Sequence, residues 1–425
     1  MTWFRRLAQN RLLDAGVVGI AVVCAVRIAV TLPSRAMEND FAHNYVSSRL
    51  LLEGRNPYSA PLAGEYARFG FAYDEDVPRA SYPPTVQWLF APFAALPPQA
   101  AFWTWVLAEV VSLGAILWLT RRLLRHRLSE RGWRLVCAAT VASATVYWHF
   151  YYSQLQLPLA AMMLAAYAWQ REGRHTVACI GITIAGLIKF SPFFLLPWFV
   201  WRSGHGFRAR LTQCGVVLAS ACLVVFATDV ARWRDFYHYG MPVLAAWAVG
   251  RTFNFNVPSF ITNMGFAAWR FSPPPTAARA WWALGMVAGL ALTAVVYAWS
   301  LRTRRDCEVE FCLLSVAMLV AGGKSPGHFF VFLIFPMAVA AVRVVAEPSA
   351  WRVAWFAATW VLLNNLGTVA NPFLDRHIYL EIVANYTPLL GLLMLGVFFV
   401  NELRRTKTGR VETRLPQAAG AAGGS

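Results

Sequence analysis

Hydrophobic residues in this chain are grouped in long blocks, and short segments rich in arginine separate the blocks. Each block has about 15 to 22 residues, which as an α-helix is about long enough to cross a hydrocarbon core roughly 30 Å thick. The alternation of apolar and polar residues that is typical of membrane-barrel strands is absent. The pattern therefore predicts an all-α, polytopic membrane protein with about eleven or twelve transmembrane helices.

The blocks give a map of predicted crossings at residues 12–32, 98–120, 134–152, 154–170, 175–189, 191–202, 211–228, 280–300, 309–322, 328–345, 351–368 and 383–400. The 191–202 segment is too short to span alone and contains Pro192 and Pro197, so we predict that it is tilted or broken. The apolar run 85–96 is also short, which predicts an interfacial or re-entrant segment.

Basic residues are concentrated in the short segments on one side of this map, most densely in the arginines of 121–134. Under the positive-inside rule these segments are cytoplasmic, so both termini lie inside and the long loops 33–84 and 229–279 lie outside. We expect short helices within these loops, one of them over 40–53. Residues 1–403 are predicted to form a single transmembrane domain, and 404–425 a disordered cytoplasmic tail.

Composition agrees with a multi-pass protein of the inner or plasma membrane. Of the 425 residues, 58% are hydrophobic and only 14% are charged, whereas soluble domains carry about 25% charged residues. The net charge of +17 comes from basic residues between the hydrophobic blocks, a distribution typical of topology determinants and lipid headgroup contacts. Membrane lipids are therefore expected partners, and nucleic acid is not.

The first hydrophobic block admits two interpretations. Arg5, Arg6 and Arg11 precede it, and Ser34-Arg35-Ala36 could serve as a cleavage site for a signal peptase. The length of the apolar run and the many crossings that follow favour an uncleaved signal anchor.

Metal-binding patterns in the chain are weak. Cys307 and Cys312 lack a second pair of ligands, which argues against a zinc site. Asp74-Glu75-Asp76 imitates the D-x-D motif of nucleotide-sugar glycosyltransferases, but the soluble nucleotide-binding domain that gives the motif its meaning is missing, so a solvated loop is the better interpretation. We predict no metal and no cofactor.

Carboxylates directly beyond the first crossing are candidates for acid–base chemistry. Glu38 and Asp40 lie at the predicted membrane surface, where a lipid-linked donor would present its reactive carbon. A carboxylate there can accept the proton of an attacking hydroxyl. The alternative is that Asp40 caps the helix that follows.

The first outer loop carries the most specific resemblance. Asp40 and Tyr45 are followed by Gly54-Arg55-Asn56-Pro57-Tyr58 and then by Tyr82-Pro83-Pro84, an order that resembles glycosyltransferase family 87. Three later segments are also similar to that family, namely Ser153-Gln154-Leu155-Gln156, where the family tends to have Gly-Gln-x-Asn, Gly186 to Pro192, and Lys324-Ser325-Pro326-Gly327-His328. Asn254-Phe255-Asn256 resembles the family's Asn-Gln-Ser element only weakly.

The resemblance implies a GT-C-like membrane fold and an enzyme that depends on a polyprenyl-phosphate sugar. It assigns Asp40 as the catalytic base, with Glu38 as the fallback. Lys324, His328 and Lys189 are candidate contacts of the donor phosphate, because all three fall at outer ends of predicted crossings, and Arg251 in the second outer loop is the next candidate. The candidate substrate-binding residues are Tyr45, Asn56, Tyr58, Tyr82, Gln154 and Asn254. The alternative for the lysines is that they extend toward the membrane surface without binding a ligand.

The function implied is transfer of a hexose, mannose in the family's studied members, to a glycolipid or glycan at the outer face of the membrane. The alternative is a transporter or flippase of a lipid-linked sugar, which the absence of an internal repeat disfavours. Glu109 and Arg27 lie within predicted crossings. Because a charge there is costly, a functional role is one hypothesis for each residue. The sequence does not assign either residue.

Overall fold

The computed structural model is helical throughout most of the residues that it describes, which are 11–35, 39–72, 80–204, 206–248, 254–269, 272, 274–303, 306–364, 382–383 and 385–407. The first half of the chain forms helices α1 to α9, which are Arg11–Arg35, Asn39–Leu52, Ala63–Arg68, Pro84–Ala94, Pro98–Leu124, Glu130–Val141, Ala144–Tyr152, Gln156–Arg171 and His175–Ile188.

The second half forms helices α10 to α19, which are Leu196–Arg202, Phe207–Ala227, Val230–Asp235, Met241–Ala248, Val257–Ala267, Pro275–Thr303, Cys307–Ala321, Ile334–Ala346, Ala350–Asn364 and Thr387–Lys407. Short 3₁₀ turns at Ser191–Leu195 and Gly327–Leu333 lead into α10 and α17, and a π turn at Phe236–Gly240 joins α12 to α13. The last helix includes the first four residues, 404–407, of the segment predicted to be a tail.

Six apolar helical spans are long enough to cross a membrane: Asp14–Arg35, Pro98–Leu124, Phe207–Ala227, Pro275–Arg302, Gly327–Ala346 and Thr387–Arg405. Some of these spans are mostly exposed, unlike α16 at the centre of the bundle. Every residue of α16 from Glu308 to Ala321 is buried, whereas α1 and α11 leave apolar side chains such as Val23 and Leu223 exposed. Exposed apolar faces of this kind suit contact with lipid. These features confirm the prediction of an all-α, polytopic membrane protein.

Breaks in the helices follow the local sequence. The predicted crossing 134–152 is divided between α6 and α7, and the Ser143 hydroxyl accepts a hydrogen bond from the Val146 N–H at 3.3 Å as the cap of α7. The 191–202 segment is a 3₁₀ turn followed by α10, so it is broken as predicted. The predicted short helix over 40–53 is α2, and the short run 85–96 is α4, with only eleven residues.

Charged side chains from distant segments meet at the end of the bundle where α16 begins. Arg343 on α17 pairs with Asp306 at 2.6 Å, and Arg352 on α18 pairs with Glu402 on α19 at 2.9 Å. Arg127, after α5, pairs with Glu308. Because α16 is 15 residues long, its other end, near Lys324, lies roughly 22 Å away. The two ends of the bundle are therefore chemically distinct.

We predict that the end carrying Ser59 and Ser272 faces outward. Both serines are exposed, so a cysteine at either position should react with a membrane-impermeant thiol reagent in intact cells whose outer membrane, if present, is permeabilised. A cysteine in place of the exposed His126, after α5, is the matched control and should react only after lysis. The opposite labelling pattern would invert the predicted topology.

Candidate active site

The carboxylate of Asp40 lies in the first turn of α2, five residues after α1 ends. An acidic side chain is favoured there because the free N–H groups at a helix start carry partial positive charge. Helix α2 packs mainly against α4, whose first turn is fixed by Pro84. This packing places Tyr82 beside Asp40, and the Tyr82 hydroxyl donates a hydrogen bond to Asp40 Oδ2 at 2.8 Å.

The second hydrogen-bond donor to Asp40 comes from the end of α7. Gln154 Nε2 donates to the same oxygen, Oδ2. The preceding residue, Ser153, ends α7 in the left-handed conformation, with φ 46° and ψ 61°. This conformation turns the chain sharply, so that Gln154 faces Asp40. It is also the conformation for which glycine is normally used.

The two bonds leave the other carboxylate oxygen available. Asp40 is half-buried, and Oδ1 makes no hydrogen bond within the described part of the chain. Burial and the neighbouring Asp40 raise the pKa of the Tyr82 phenol well above its usual value. Tyr82 therefore remains a protonated donor at neutral pH. The arrangement fixes one oxygen and leaves its partner free to accept a proton.

His43 lies one turn after Asp40 and was not predicted from the sequence. It is buried, and its Nε2 accepts a hydrogen bond from the Ser81 N–H at 3.2 Å. A neutral ring then carries its proton on Nδ1, which faces the Tyr66 hydroxyl at 3.2 Å. His43 thus ties α2 to the segment that carries Tyr82. The i, i+3 spacing from Asp40 was the available signal, but a lone histidine on a polar helix gives no indication of burial.

Three cationic or imidazole side chains predicted to bind phosphate lie at this same end. Lys189 follows α9 directly, with Nζ 5.4 Å from the ring centroid of Tyr82 and 4.5 Å from that of Phe329. His328 is the second residue of the 3₁₀ turn, and its ring centroid is 5.5 Å from that of Tyr152, two residues before Gln154. Both side chains are half-buried.

The charge of the third side chain, Lys324, acts on His43. Burial lowers the pKa of His43 to about 4, Asp40 opposes this shift, and Lys324 adds to it. Both charges therefore act on an imidazole one turn from Asp40. Among the described residues, no group of three His, Cys, Asp or Glu side chains is placed to hold a metal ion. Lys189, Lys324 and His328 are groups at this end that can interact with an anion.

The loop that carries Lys324 is held by a second segment. Asn254 is fully buried, and its Oδ1 accepts a hydrogen bond from the Ser325 N–H at 3.3 Å. The Phe255 N–H donates to the Ser325 carbonyl at 2.9 Å, and Asn256 caps α14. Asn254 therefore positions the Lys324 loop in this structure, although it was predicted to contact substrate.

Three other predicted substrate contacts also bind protein. Asn56 Nδ2 donates to Asp235 Oδ2 at 2.6 Å and so joins the two long loops. The Tyr58 hydroxyl donates to the Tyr82 carbonyl at 2.7 Å, and the Tyr45 hydroxyl donates to the Leu96 carbonyl at 2.8 Å. Tyr45 and Tyr58 are buried. Of the six predicted substrate contacts, only Tyr82 and Gln154 touch the Asp40 carboxylate.

Several residues singled out from the sequence lie away from Asp40 or outside the described residues. Glu38, Arg251 and the Asp74-Glu75-Asp76 segment lie outside the described residues. Glu109 is fully buried, with Oε1 3.2 Å from Nε2 of the equally buried His149. Arg27 stacks on the ring of Tyr147 at 4.1 Å.

A profile of glycosyltransferase family 87 matches residues 81–336. The chain belongs to glycosyltransferase family 87. The matched region contains Tyr82, Gln154, Lys189, Lys324 and His328, and Asp40 reaches it through its hydrogen bonds to Tyr82 and Gln154. A comparison with curated proteins gives no match. Membership supports a membrane glycosyltransferase that contacts a sugar donor, an acceptor and lipid.

We expect the thermal stability of the folded protein to fall as pH drops below about 6.5. The folded-state pKa of His43, about 4, lies below its unfolded value of about 6.5. The unfolded chain therefore binds more protons between these values, and the stabilisation present above pH 6.5 is lost as pH approaches 4. Melting temperatures from pH 8 to pH 4 should fall less steeply for His43→Gln, which can still accept the Ser81 N–H. Equal slopes would contradict this prediction.

Ser153→Gly should preserve activity and raise the melting temperature, because glycine removes a left-handed strain of roughly 1–2 kcal/mol. The loss of the long Ser153 Oγ bond to the Phe150 carbonyl, at 3.5 Å, offsets part of this gain. Ser153→Val should lower both the activity and the melting temperature, because a β-branched residue disfavours the left-handed conformation. The altered turn would direct Gln154 away from Asp40. A normal melting temperature for Ser153→Val would refute the role of the turn.

Proposed function

We propose that this enzyme transfers a hexose from a polyprenyl monophosphate to a hydroxyl group of a glycolipid or glycan at the outer face of the membrane. Mannose is the sugar that the family resemblance indicates. The observation that carries the proposal is the Asp40 carboxylate, held at Oδ2 by Tyr82 and Gln154, at the same end of the bundle as Lys189, Lys324 and His328.

The reaction is a single displacement. The acceptor hydroxyl oxygen attacks the anomeric carbon, and its proton passes to Oδ1 of Asp40. The bond between the anomeric carbon and the phosphate oxygen breaks, and its electron pair goes to the phosphate. The anomeric configuration inverts, and no covalent intermediate with the enzyme forms. A base that lies on the side of the sugar opposite the leaving group is all that this scheme requires of Asp40.

The leaving phosphate gains negative charge as the bond breaks, and positioned cations favour that change. Lys324 supplies positive charge, and His328 can donate a hydrogen bond in either protonation state. Burial and the neighbouring Lys324 lower the pKa of Lys189 to about 7, so Lys189 is only partly protonated at neutral pH. The half-buried position of these groups strengthens their effect, because a lower local dielectric constant reduces screening. A monophosphate leaving group carries less charge than a diphosphate, so side chains are sufficient in this scheme.

The test uses purified protein in detergent, a radiolabelled polyprenyl-phosphate mannose donor and a lipid extract as acceptor. Formation of a labelled product that requires the protein supports the proposal. A protein without turnover in detergent that moves the labelled lipid between leaflets of sealed vesicles would instead be a flippase. Donors carrying glucose or galactose, assayed in parallel, test the choice of mannose, and lipid analysis of a deletion strain identifies the acceptor.

A further inference from the structure

A carboxyl group and an imidazole ring meet in the interior of the bundle, away from the Asp40 carboxylate. Glu109 on α5 and His149 on α7 are both fully buried, and Glu109 Oε1 lies 3.2 Å from His149 Nε2. Glu109 is eleven residues, roughly 16 Å along the helix, from the start of α5. A charge at that depth in a span is costly, so an ionisable residue there is a candidate for a functional role.

Burial restricts the number of protons on this pair. When Glu109 and His149 share one proton, besides the proton that a neutral imidazole always carries, the pair is neutral overall. Loss of that proton, or gain of a second, would leave a net charge without solvent contact, which is strongly disfavoured. Oε1 and Nε2 are close enough to share a proton, and Nδ1 of His149 has no hydrogen-bond partner in the described part of the chain. The proton can therefore reside on either residue.

The side of α7 that carries His149 packs against the turn that carries His328. Thr145, one turn before His149, donates a long hydrogen bond of 3.5 Å to the carbonyl of the residue before His328. Tyr152, nearly one turn after His149, has its ring centroid 5.5 Å from that of His328. The charge of Lys189 also acts on His149. His149 thus connects the buried pair to the elements that carry the predicted phosphate contacts.

These neighbours decide which member of the pair holds the proton. The positive charge of a protonated Lys189 opposes a second positive charge on His149, so without a ligand the proton is favoured on Glu109. A bound phosphate reverses this preference, because its negative charge offsets that of Lys189 and attracts an imidazolium. The transfer breaks the O–H bond of Glu109 and forms an N–H bond on His149, and it requires no other reactant.

We propose that binding of the donor phosphate moves a proton from Glu109 to His149 and so adds a positive charge beside the phosphate site. The pair acts on the phosphate through the electric field and through the elements that carry Lys189 and His328, so both residues are positioning residues. Their effect is strong because the surroundings are poorly screened. This inference rests on the proposed function, since it requires an anionic donor at that end of the bundle.

Infrared difference spectra of the full chain in detergent, recorded with and without a polyprenyl monophosphate that carries no sugar, test this transfer. When the ligand binds, we expect the stretching band of a protonated carboxyl group to weaken and a carboxylate band to grow. The uncharged polyprenol, which has the same chain but no phosphate, should cause neither change. Both changes should disappear in Glu109→Gln, whereas the matched control Glu130→Gln, at an exposed side chain, should retain them.

The affinity for the same ligand gives a second measurement. Glu109→Gln and His149→Gln should each raise the dissociation constant of the polyprenyl monophosphate by about tenfold, which lies within the usual range for coupling between two sites. His126→Gln, at an exposed histidine after α5, should bind the ligand as wild type does. A purely structural pair would lower the melting temperature of the two variants without changing the dissociation constant.

The wild-type spectrum alone is sufficient to overturn the proposal, so the test does not depend on the folding of a variant. Ligand binding without a change from carboxyl to carboxylate would refute the transfer. Changes that persist in Glu109→Gln would also refute it, because another carboxyl group would be their source. If the wild type transfers sugar and either result is found, only this inference fails. If the wild type neither transfers sugar nor binds the polyprenyl monophosphate, the proposed function fails as well.

Discussion

Asp40→Asn is expected to reduce sugar transfer by about 10²- to 10⁴-fold while the protein remains folded. The factor is the usual contribution of a general base. Asparagine has nearly the same size, and its carbonyl oxygen can still accept the bonds from Tyr82 and Gln154, so the local packing is preserved. The lost property is the capacity of Oδ1 to take the proton of the acceptor. Initial rates with saturating donor, together with melting temperatures, separate this loss from unfolding.

Asp229→Asn is the matched control, because it makes the same chemical change at a half-exposed aspartate that caps α12. Asp229 has a positive φ of 76°, which asparagine tolerates well, and its activity should remain near that of wild type. Near-normal turnover by Asp40→Asn, combined with loss of turnover by Glu38→Gln, would transfer the role of base to Glu38.

The helical architecture could be predicted because lipid imposes one dominant rule on the sequence. Every span must satisfy its own backbone hydrogen bonds and present apolar side chains over about 20 residues, so hydropathy alone locates helices such as α5 and α15. Helix ends follow from local chemistry, as with the serine cap of α7. The division of 134–152 into two helices was missed, because Ser143 lies within an otherwise continuous apolar block.

The candidate site could be predicted only where one residue carries its own signal. Asp40 stands out as a carboxylate at the end of a span, and family resemblance reinforces it. Its contact with Gln154 joins residues 114 positions apart, and no periodicity encodes such a pairing. Buried polar residues such as Tyr58 and Asn254 resemble substrate contacts in sequence, since hydrogen bonding to a loop and hydrogen bonding to a sugar require the same side chains.

Lys324→Ala and His328→Ala are expected to lower kcat by about 10²- to 10³-fold each, the effect of removing one group that stabilises developing charge. The reason is that the phosphate gains negative charge only as its bond to the sugar breaks. A contact that strengthens at that moment contributes more to kcat than to donor KM. Lys189→Ala should have a smaller effect, because the Lys189 ammonium group lies against the rings of Tyr82 and Phe329.

The measurement is steady-state kinetics with varied donor for the three variants and for Lys324→Arg. Arginine keeps the positive charge, so Lys324→Arg should have a higher kcat than Lys324→Ala if Lys324 acts on the phosphate. If Lys324 only packs against its neighbours, Lys324→Arg should be no more active than Lys324→Ala. A rise in KM at constant kcat would instead mean that these groups bind the donor equally in the ground and transition states.

If Lys324→Ala and His328→Ala both retain wild-type kcat and kcat/KM, the donor phosphate is held elsewhere. Arg251 is then the first residue to replace, because it is the remaining predicted phosphate contact in the second long loop.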